Sequence, residues 1–168
     1  IHTMDGIGYV QQLKPKLPCA LQLSAHFAAY ISSAYNQDPK EYLNELRQLD
    51  SMRDTAICAP TNVQSATALI SYIRELQQLP TRFPVDADNI KLAIGWYNSW
   101  VSGERPKPLA MFSLQYEQAA VMFNLACLYG RLGNQQLVGE NNTVKGGKAS
   151  GDNLKAACNY YLQAAGVF

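Results

Sequence analysis

The sequence predicts a mainly α protein, a packed array of helices with at most a small accessory sheet. Three observations carry this. Residues 116–132, YEQAAVMFNLACLYGRL, are apolar on nearly every face of a helix, so that segment must be surrounded by other elements. Residues 38–57 and 61–80 each keep one apolar face at helical spacing between prolines. Strict alternation appears clearly only over residues 90–97, with residues 8–14 as a second, weaker candidate; two strands cannot make the core of 168 residues.

The elements follow in order. Residues 8–14 read as a short strand before Pro15 and Pro18 break the backbone. Residues 21–35 read as a helix with Leu23, Phe27, Tyr30, Ile31 and Ala34 near helical spacing, closed by a turn at Asn36-Gln37. Asp38, Pro39 and Glu41 form the best start signal in the chain: an N-cap, a proline at the first helical position and a capping box in which Asp38 accepts from the Glu41 amide. The helix then runs to about Ile57, with Tyr42, Leu46, Leu49, Met52 and Ala56 inward and Glu45, Asp50, Arg53 and Asp54 mostly outward. A third helix starts near Thr61 or Asn62 and ends by Pro80. Its stripe is Ala66, Leu69, Ile70, Ile73 and Leu76, with Arg74 and Glu75 in solvent.

The period then changes. Ile90, Leu92, Ile94 and Trp96 alternate with Lys91, Ala93 and Gly95, as in a strand with one buried face. A polar, proline-containing loop over residues 102–108 separates it from the long apolar helix. Residues 133–151 lack any apolar period and read as a loop. The last helix starts near Asp152, with Leu154, Ala157, Cys158, Tyr161 and Ala165 as its apolar face. The last two helices would form an antiparallel pair of the kind stacked in solenoids.

Composition narrows the function. Hydrophobic residues make up 48% and charged residues only 16%, which fits one ordinary domain with part of its surface normally covered. A net charge of +1 gives no electrostatic basis for binding nucleic acid or an anionic membrane. The longest apolar run is far short of a membrane span, and the first residues lack the pattern of a signal peptide. Cys19, Cys58, Cys127 and Cys158 form no CxxC pair and read as buried free thiols in a reducing compartment. That context makes the glycosylation-like Asn141-Asn142-Thr143 a chance match.

Catalytic and metal chemistry find no footing. His2 and His26 have no partner at ligand spacing, so no metal site is expected. There is no GxSxG elbow, and Gly146-Gly147-Lys148 lacks the rest of a phosphate loop. Asp86 with Asp88, and Glu41 with Glu45, read as turn and helix-surface residues rather than an acid–base pair. No group suited to catalysis sits in the middle of the long helix. Trp96 reads as an anchor of the sheet on the helices; an exposed Trp96/Trp100 pair would instead suit a peptide platform. Tyr160-Tyr161 reads as the edge of the core. The expectation is a scaffold that binds proteins, with no catalytic residue, metal or cofactor.

Four blocks carry a family resemblance. They are YISSAYNQDPKEYLNELRQLDSMRDTA (residues 30–56), FPVDADNIKLAIGWYNSW (83–100), LQYEQAAVMFNLACLYGRLG (114–133) and DNLKAACNYYLQAAGVF (152–168). In this order they resemble the BRO-one domain family, found in ALIX-type endosomal-sorting adaptors, the His-domain tyrosine phosphatase and rhophilin. The resemblance implies a tetratricopeptide-like helical solenoid with a small sheet. It also implies that the chain is the N-terminal part of a longer domain, consistent with an end at Phe168 directly after an apolar stretch. Two departures stand out: residues 134–150 are longer than the family's usual link, and residues 1–21 follow its opening only loosely.

The resemblance further implies a non-catalytic endosomal-sorting scaffold that docks the amphipathic C-terminal helix of an ESCRT-III subunit. Such a protein is cytoplasmic and reaches endosomal membranes through its partners. Most of the family's groove would lie beyond Phe168. Its edge here would be Gly151 and Asp152, where the family carries an acidic residue; plain N-capping is the simpler reading of Asp152. The alternative is a rhophilin-like effector of a small GTPase. The phosphatase signature is absent, since Cys58, Cys127 and Cys158 have no arginine at the required spacing.

Overall fold

The computed structural model describes residues 12–58, 60–99, 107–138 and 151–167. Among these, five α-helices follow one another, α1 (Leu23–Ala34), α2 (Leu43–Ile57), α3 (Val63–Gln78), α4 (Leu114–Val138) and α5 (Gly151–Val167), and each packs on the next. Three strands, β1 (Leu17–Pro18), β2 (Ile94–Tyr97) and β3 (Leu109–Met111), form an antiparallel sheet in the order β1-β2-β3 that rests on α4 through β2. Serial packing of neighbours is the layout of a helical solenoid. The mainly helical class with a small sheet is as expected.

Local chemistry explains the boundaries. Gln22 supplies no side-chain cap to α1. Instead Asp50 of α2 accepts from the amides of Leu23 at 2.8 Å and Ser24 at 3.2 Å, so a neighbouring helix caps α1. Just past the helix end, Asn36 turns the chain with a left-handed φ of 53°, a conformation Asn tolerates. The Asp38 signal is real but shorter than a capping box. Asp38 accepts from the Lys40 amide at 3.0 Å, while the Glu41 amide bonds the Asp38 carbonyl at 3.2 Å. The segment Pro39–Tyr42 is a 3₁₀ turn, and its tighter winding brings the amide two residues on within reach. Asn62 caps α3, accepting from the Ser65 amide at 2.8 Å.

The sheet departs most from expectation. Residues 8–11 lie outside the described residues and 12–14 are not strand; β1 falls at Leu17–Pro18. Pro18 pairs with Trp96 on the outermost strand, where a missing amide is tolerated. The alternation over residues 90–97 is correct for burial, but only Ile94–Tyr97 joins the ladder. The Leu92 amide bonds the Ile90 carbonyl at 2.8 Å, turning the chain just before it. A third strand, Leu109–Met111, lies directly after the expected loop, whose residues 102–106 fall outside the described ones. Gly95 allows close approach: a Cβ there would meet the Cys19 sulfur at 2.9 Å.

The long helix extends beyond its expected end. Residues 133–138 continue α4, while 139–150 lie outside the described residues. Gly133 does not break the helix because the Tyr161 ring of α5 packs over it; an added Cβ would lie 2.7 Å from that ring. The core is contributed by every layer, with Phe27 of α1, Leu49 of α2, Tyr72 of α3, Trp96 of β2 and Val121 of α4 all buried. Phe83 stacks on Phe27 at 4.3 Å between centroids, closing the core under α1.

Candidate partner-binding surface

Helix α5 presents two faces. Toward α4 it turns Ala157, Tyr160, Tyr161 and Val167. Ala157 is buried, Tyr160 stacks on Tyr129 at 6.4 Å, and the Tyr161 hydroxyl donates to the Asn134 carboxamide oxygen. The opposite face carries Leu154, Cys158, Leu162 and Ala165 at helical spacing, all exposed; Leu162 is 71% exposed. Of the expected apolar face only Ala157 is buried and Tyr161 half-buried. Leu154, Cys158 and Ala165 point away from α4. The sequence pattern has two apolar stripes, and periodicity alone does not choose between them. The tyrosines win because the Tyr161 ring fills the seam left by Gly133 and reaches Asn134, while Tyr160 stacks on Tyr129.

The expected binding residues Gly151 and Asp152 lie at the exposed start of this helix. Asp152 sits in the first turn rather than at the cap, where its carboxylate is favoured by the exposed amides of the helix N-terminus. Nothing lies within 4 Å of a Cβ added to Gly151. The two residues therefore border the apolar stripe without contributing to the packing on α4.

The one buried ion pair among the described residues lies elsewhere, and the sequence reading missed it. Arg53, expected on the solvent side of α2, is 1% exposed, and Glu117 in the first turn of α4 is fully buried. Their Nε–Oε1 distance is 2.8 Å. The same Oε1 accepts from the Tyr72 hydroxyl at 3.1 Å, and Oε2 accepts from Trp96 Nε1 at 2.6 Å. Arg53 also reaches the Cys19 carbonyl at 3.4 Å and lies 5.9 Å from the centre of the Trp96 ring. Burial, and then the Glu117 charge, push the Tyr72 hydroxyl pKa far up, so it remains a donor. This junction joins α2, α3, α4 and β2. A buried carboxylate often signals catalysis, but here every oxygen is occupied by a protein donor. Its chemistry is that of a clamp. Its sequence signal was a pair of opposite charges 64 residues apart, each within an apolar pattern. Trp96 is thus the expected anchor of the sheet on the helices; Trp100 and His2 lie outside the described residues.

His26 is exposed, with Nδ1 3.0 Å from the Gln22 carbonyl one turn back. Among the described residues no three His, Cys, Asp or Glu side chains gather as metal ligands, and no helix is long and apolar enough to cross a membrane. The thiols divide. Cys127 is buried, and burial raises its pKa to about 11; Cys19 is half-buried; Cys58 and Cys158 are exposed, against expectation. Cys58 caps the end of α2 and Cys158 lies on the outer stripe of α5, so an apolar neighbourhood in sequence did not bury them.

Comparison with known proteins extends this geometry. The pH-response regulator protein palA/RIM20 of Emericella nidulans is 32% identical over 148 residues, covering 88% of this chain and 16% of its own length. The vacuolar protein-sorting protein bro1 of Aspergillus fumigatus is 30% identical over 141 residues, covering 83% of this chain and 13% of its own. Rhophilin-2-B of Xenopus laevis is 29% identical over 141 residues, covering 84% and 19%. The chain thus spans less than a fifth of each of these relatives. A solved complex of the ALIX BRO1 domain with CHMP4C matches with a TM-score of 0.78 at 21% identity, over 95% of this chain and 44% of that one, a likeness of fold. A family model described as BRO1-like domain matches residues 11–168. The chain belongs to the BRO1-like domain family.

Proposed function

We propose that this chain is part of a non-catalytic sorting scaffold that docks a short amphipathic helix from the C-terminus of an ESCRT-III subunit. The observation that carries the reading is the outer stripe of α5, Leu154, Cys158 and Leu162, an apolar face at helical spacing with no packing partner on α4. Such a stripe suits helix-in-groove recognition. Each aliphatic anchor buried there would contribute about 1.5–3 kcal/mol before entropy costs, so two or three anchors give reversible, micromolar binding. Asp152 and the open backbone at Gly151 would form the rim, with the carboxylate fixing the register of a basic residue on the partner. The vacuolar protein-sorting relative and the CHMP4C-bound fold neighbour support this choice of partner. A protein with this role works in the cytoplasm and is brought to endosomes by its partners.

The test is a titration of the full-length protein with a labelled C-terminal helix of the host's ESCRT-III subunit. Saturable micromolar binding is expected, abolished when the peptide's apolar anchors become Asp and weakened at least tenfold by Leu162→Asp. Absence of binding to folded full-length protein would sink the reading. The rhophilin-2-B match favours a second reading, an effector of a small GTPase. Binding of the full-length protein to a GTP-loaded but not GDP-loaded Rho-type GTPase, with no ESCRT-III binding, would establish it instead.

A further inference from the structure

A cavity of about 920 Å³ opens where α1 ends, α2 begins and α3 ends. Its floor is apolar, made by Ile31, Leu46, Leu49 and Phe83, all buried. Its rim is polar and preformed. The Tyr35 hydroxyl donates to the Arg82 carbonyl at 2.5 Å, tying the end of α1 to the segment after α3. The Tyr42 hydroxyl donates to the Gln37 side-chain oxygen at 3.2 Å. This size and this division between floor and rim are those of a binding pocket.

Its charge is lopsided. Glu45, Glu75 and Arg82 all line the cavity, and none of the three has an ion-pair partner within 4.0 Å among the described residues. The C-terminal ends of α1 and α3, each carrying partial negative charge, both finish at the rim, and neither has a basic residue in its last turn. The opposing N-terminus of α2 is already answered by Glu45 in its first turn. The rim is therefore net negative over an apolar floor. We propose that this cavity is a docking site for a peptide that inserts a bulky aliphatic side chain and sets a flanking Lys or Arg against Glu45 and Glu75. None of its lining residues belongs to α5. The site is separate from the ESCRT-III surface and stands whether or not that reading does.

The probe is a labelled synthetic peptide with two Leu anchors flanked by Lys, carrying a photo-crosslinker beside one anchor, titrated into the full-length protein. Two control peptides replace Lys with Glu, or Leu with Ser. Saturable binding is expected, at least tenfold weaker for either control, with crosslinks on residues 31–49 and 75–83. The doubly reversed variant Glu45→Lys/Glu75→Lys should bind at least tenfold more weakly. The neutral pair Glu45→Gln/Glu75→Gln should fall between; both side chains are exposed, and a Lys that is unfavourable at the start of α2 is offset by one that is favourable at the end of α3, so both variants should stay folded and melt close to the parent protein. Equal or tighter binding of the acidic peptide would overturn the proposal. So would binding unchanged in the reversed variant, crosslinks confined to other residues, or no binding of the basic peptide because another part of the protein or a second copy already fills the cavity.

Discussion

Helix α4 is held in two different ways at its two ends. In its first turn, Glu117 is enclosed by Arg53, Tyr72 and Trp96, and four elements meet with both carboxylate oxygens satisfied. Near its far end, Gly133 and Asn134 receive α5 through the Tyr161 ring and hydroxyl. The first arrangement ties four elements to one carboxylate, and removal of any charged partner would leave an uncompensated charge in the interior. The second leaves the outer face of α5 exposed among the described residues. One helix thus joins an end enclosed by four elements to an end whose neighbour keeps an exposed apolar face.

The comparison breaks most severely at Glu117. Glu117→Ala strands the Arg53 guanidinium in the interior and should cost about 3–5 kcal/mol in urea denaturation. Glu117→Gln keeps the acceptor for Trp96 or Tyr72 and should cost less. At the open end, Gly133→Val drives a side chain into the Tyr161 ring and should cost about 2–3 kcal/mol. Its hydrogen exchange should quicken first in α5. One turn earlier, Gly130→Ala meets nothing within 4 Å and should stabilise by up to about 1 kcal/mol. Equal effects at the two glycines would remove the argument for the Tyr161 seat. Asp50→Ala should cost about 1 kcal/mol, read as a lower melting temperature, since it leaves the first amides of α1 without their acceptor.

Thiol chemistry sharpens the contrast with the smallest effect. At pH 8, Cys58 and Cys158 should react promptly with Ellman's reagent while Cys127 stays protected. The Cys127 thiol, held at about 11 against an ordinary 9.0, remains protonated in the fold at a pH where the unfolded chain ionises. Its contribution to stability should therefore decline as pH rises from 9.0 through about 11. Cys127→Ala should flatten that decline.

Helix order, the start of α3 near Thr61 or Asn62, the buried alternation of Ile90, Leu92, Ile94 and Trp96 and the blocks that mark the family were all legible in the sequence, because each is a local pattern. The errors share a cause. Arg53 and Glu117 look like surface charges until partners 64 residues apart are brought together. The strand at Leu17–Pro18 is too short, and too compromised by proline, to carry a period of its own. Gly133 reads as a loop residue unless the ring above it is known. The stripe of α5 that packs was hidden among equally apolar alternatives, while Gly151 and Asp152 were correctly placed at the start of that helix. The exposure of Leu154 and Leu162 beside them could not be read from periodicity.

The Glu117 junction also bears on the order of events as the chain folds. Its longest hydrogen bond, Arg53–Glu117, spans 64 residues, whereas α1–α2 and α2–α3 pack within residues 23–78. Closing long loops is slow relative to forming adjacent helix pairs, so the junction should lock after those pairs exist. In stopped-flow experiments, Glu117→Gln should then leave the refolding rate nearly unchanged and accelerate unfolding, making the buried carboxylate a determinant of how long the native state persists.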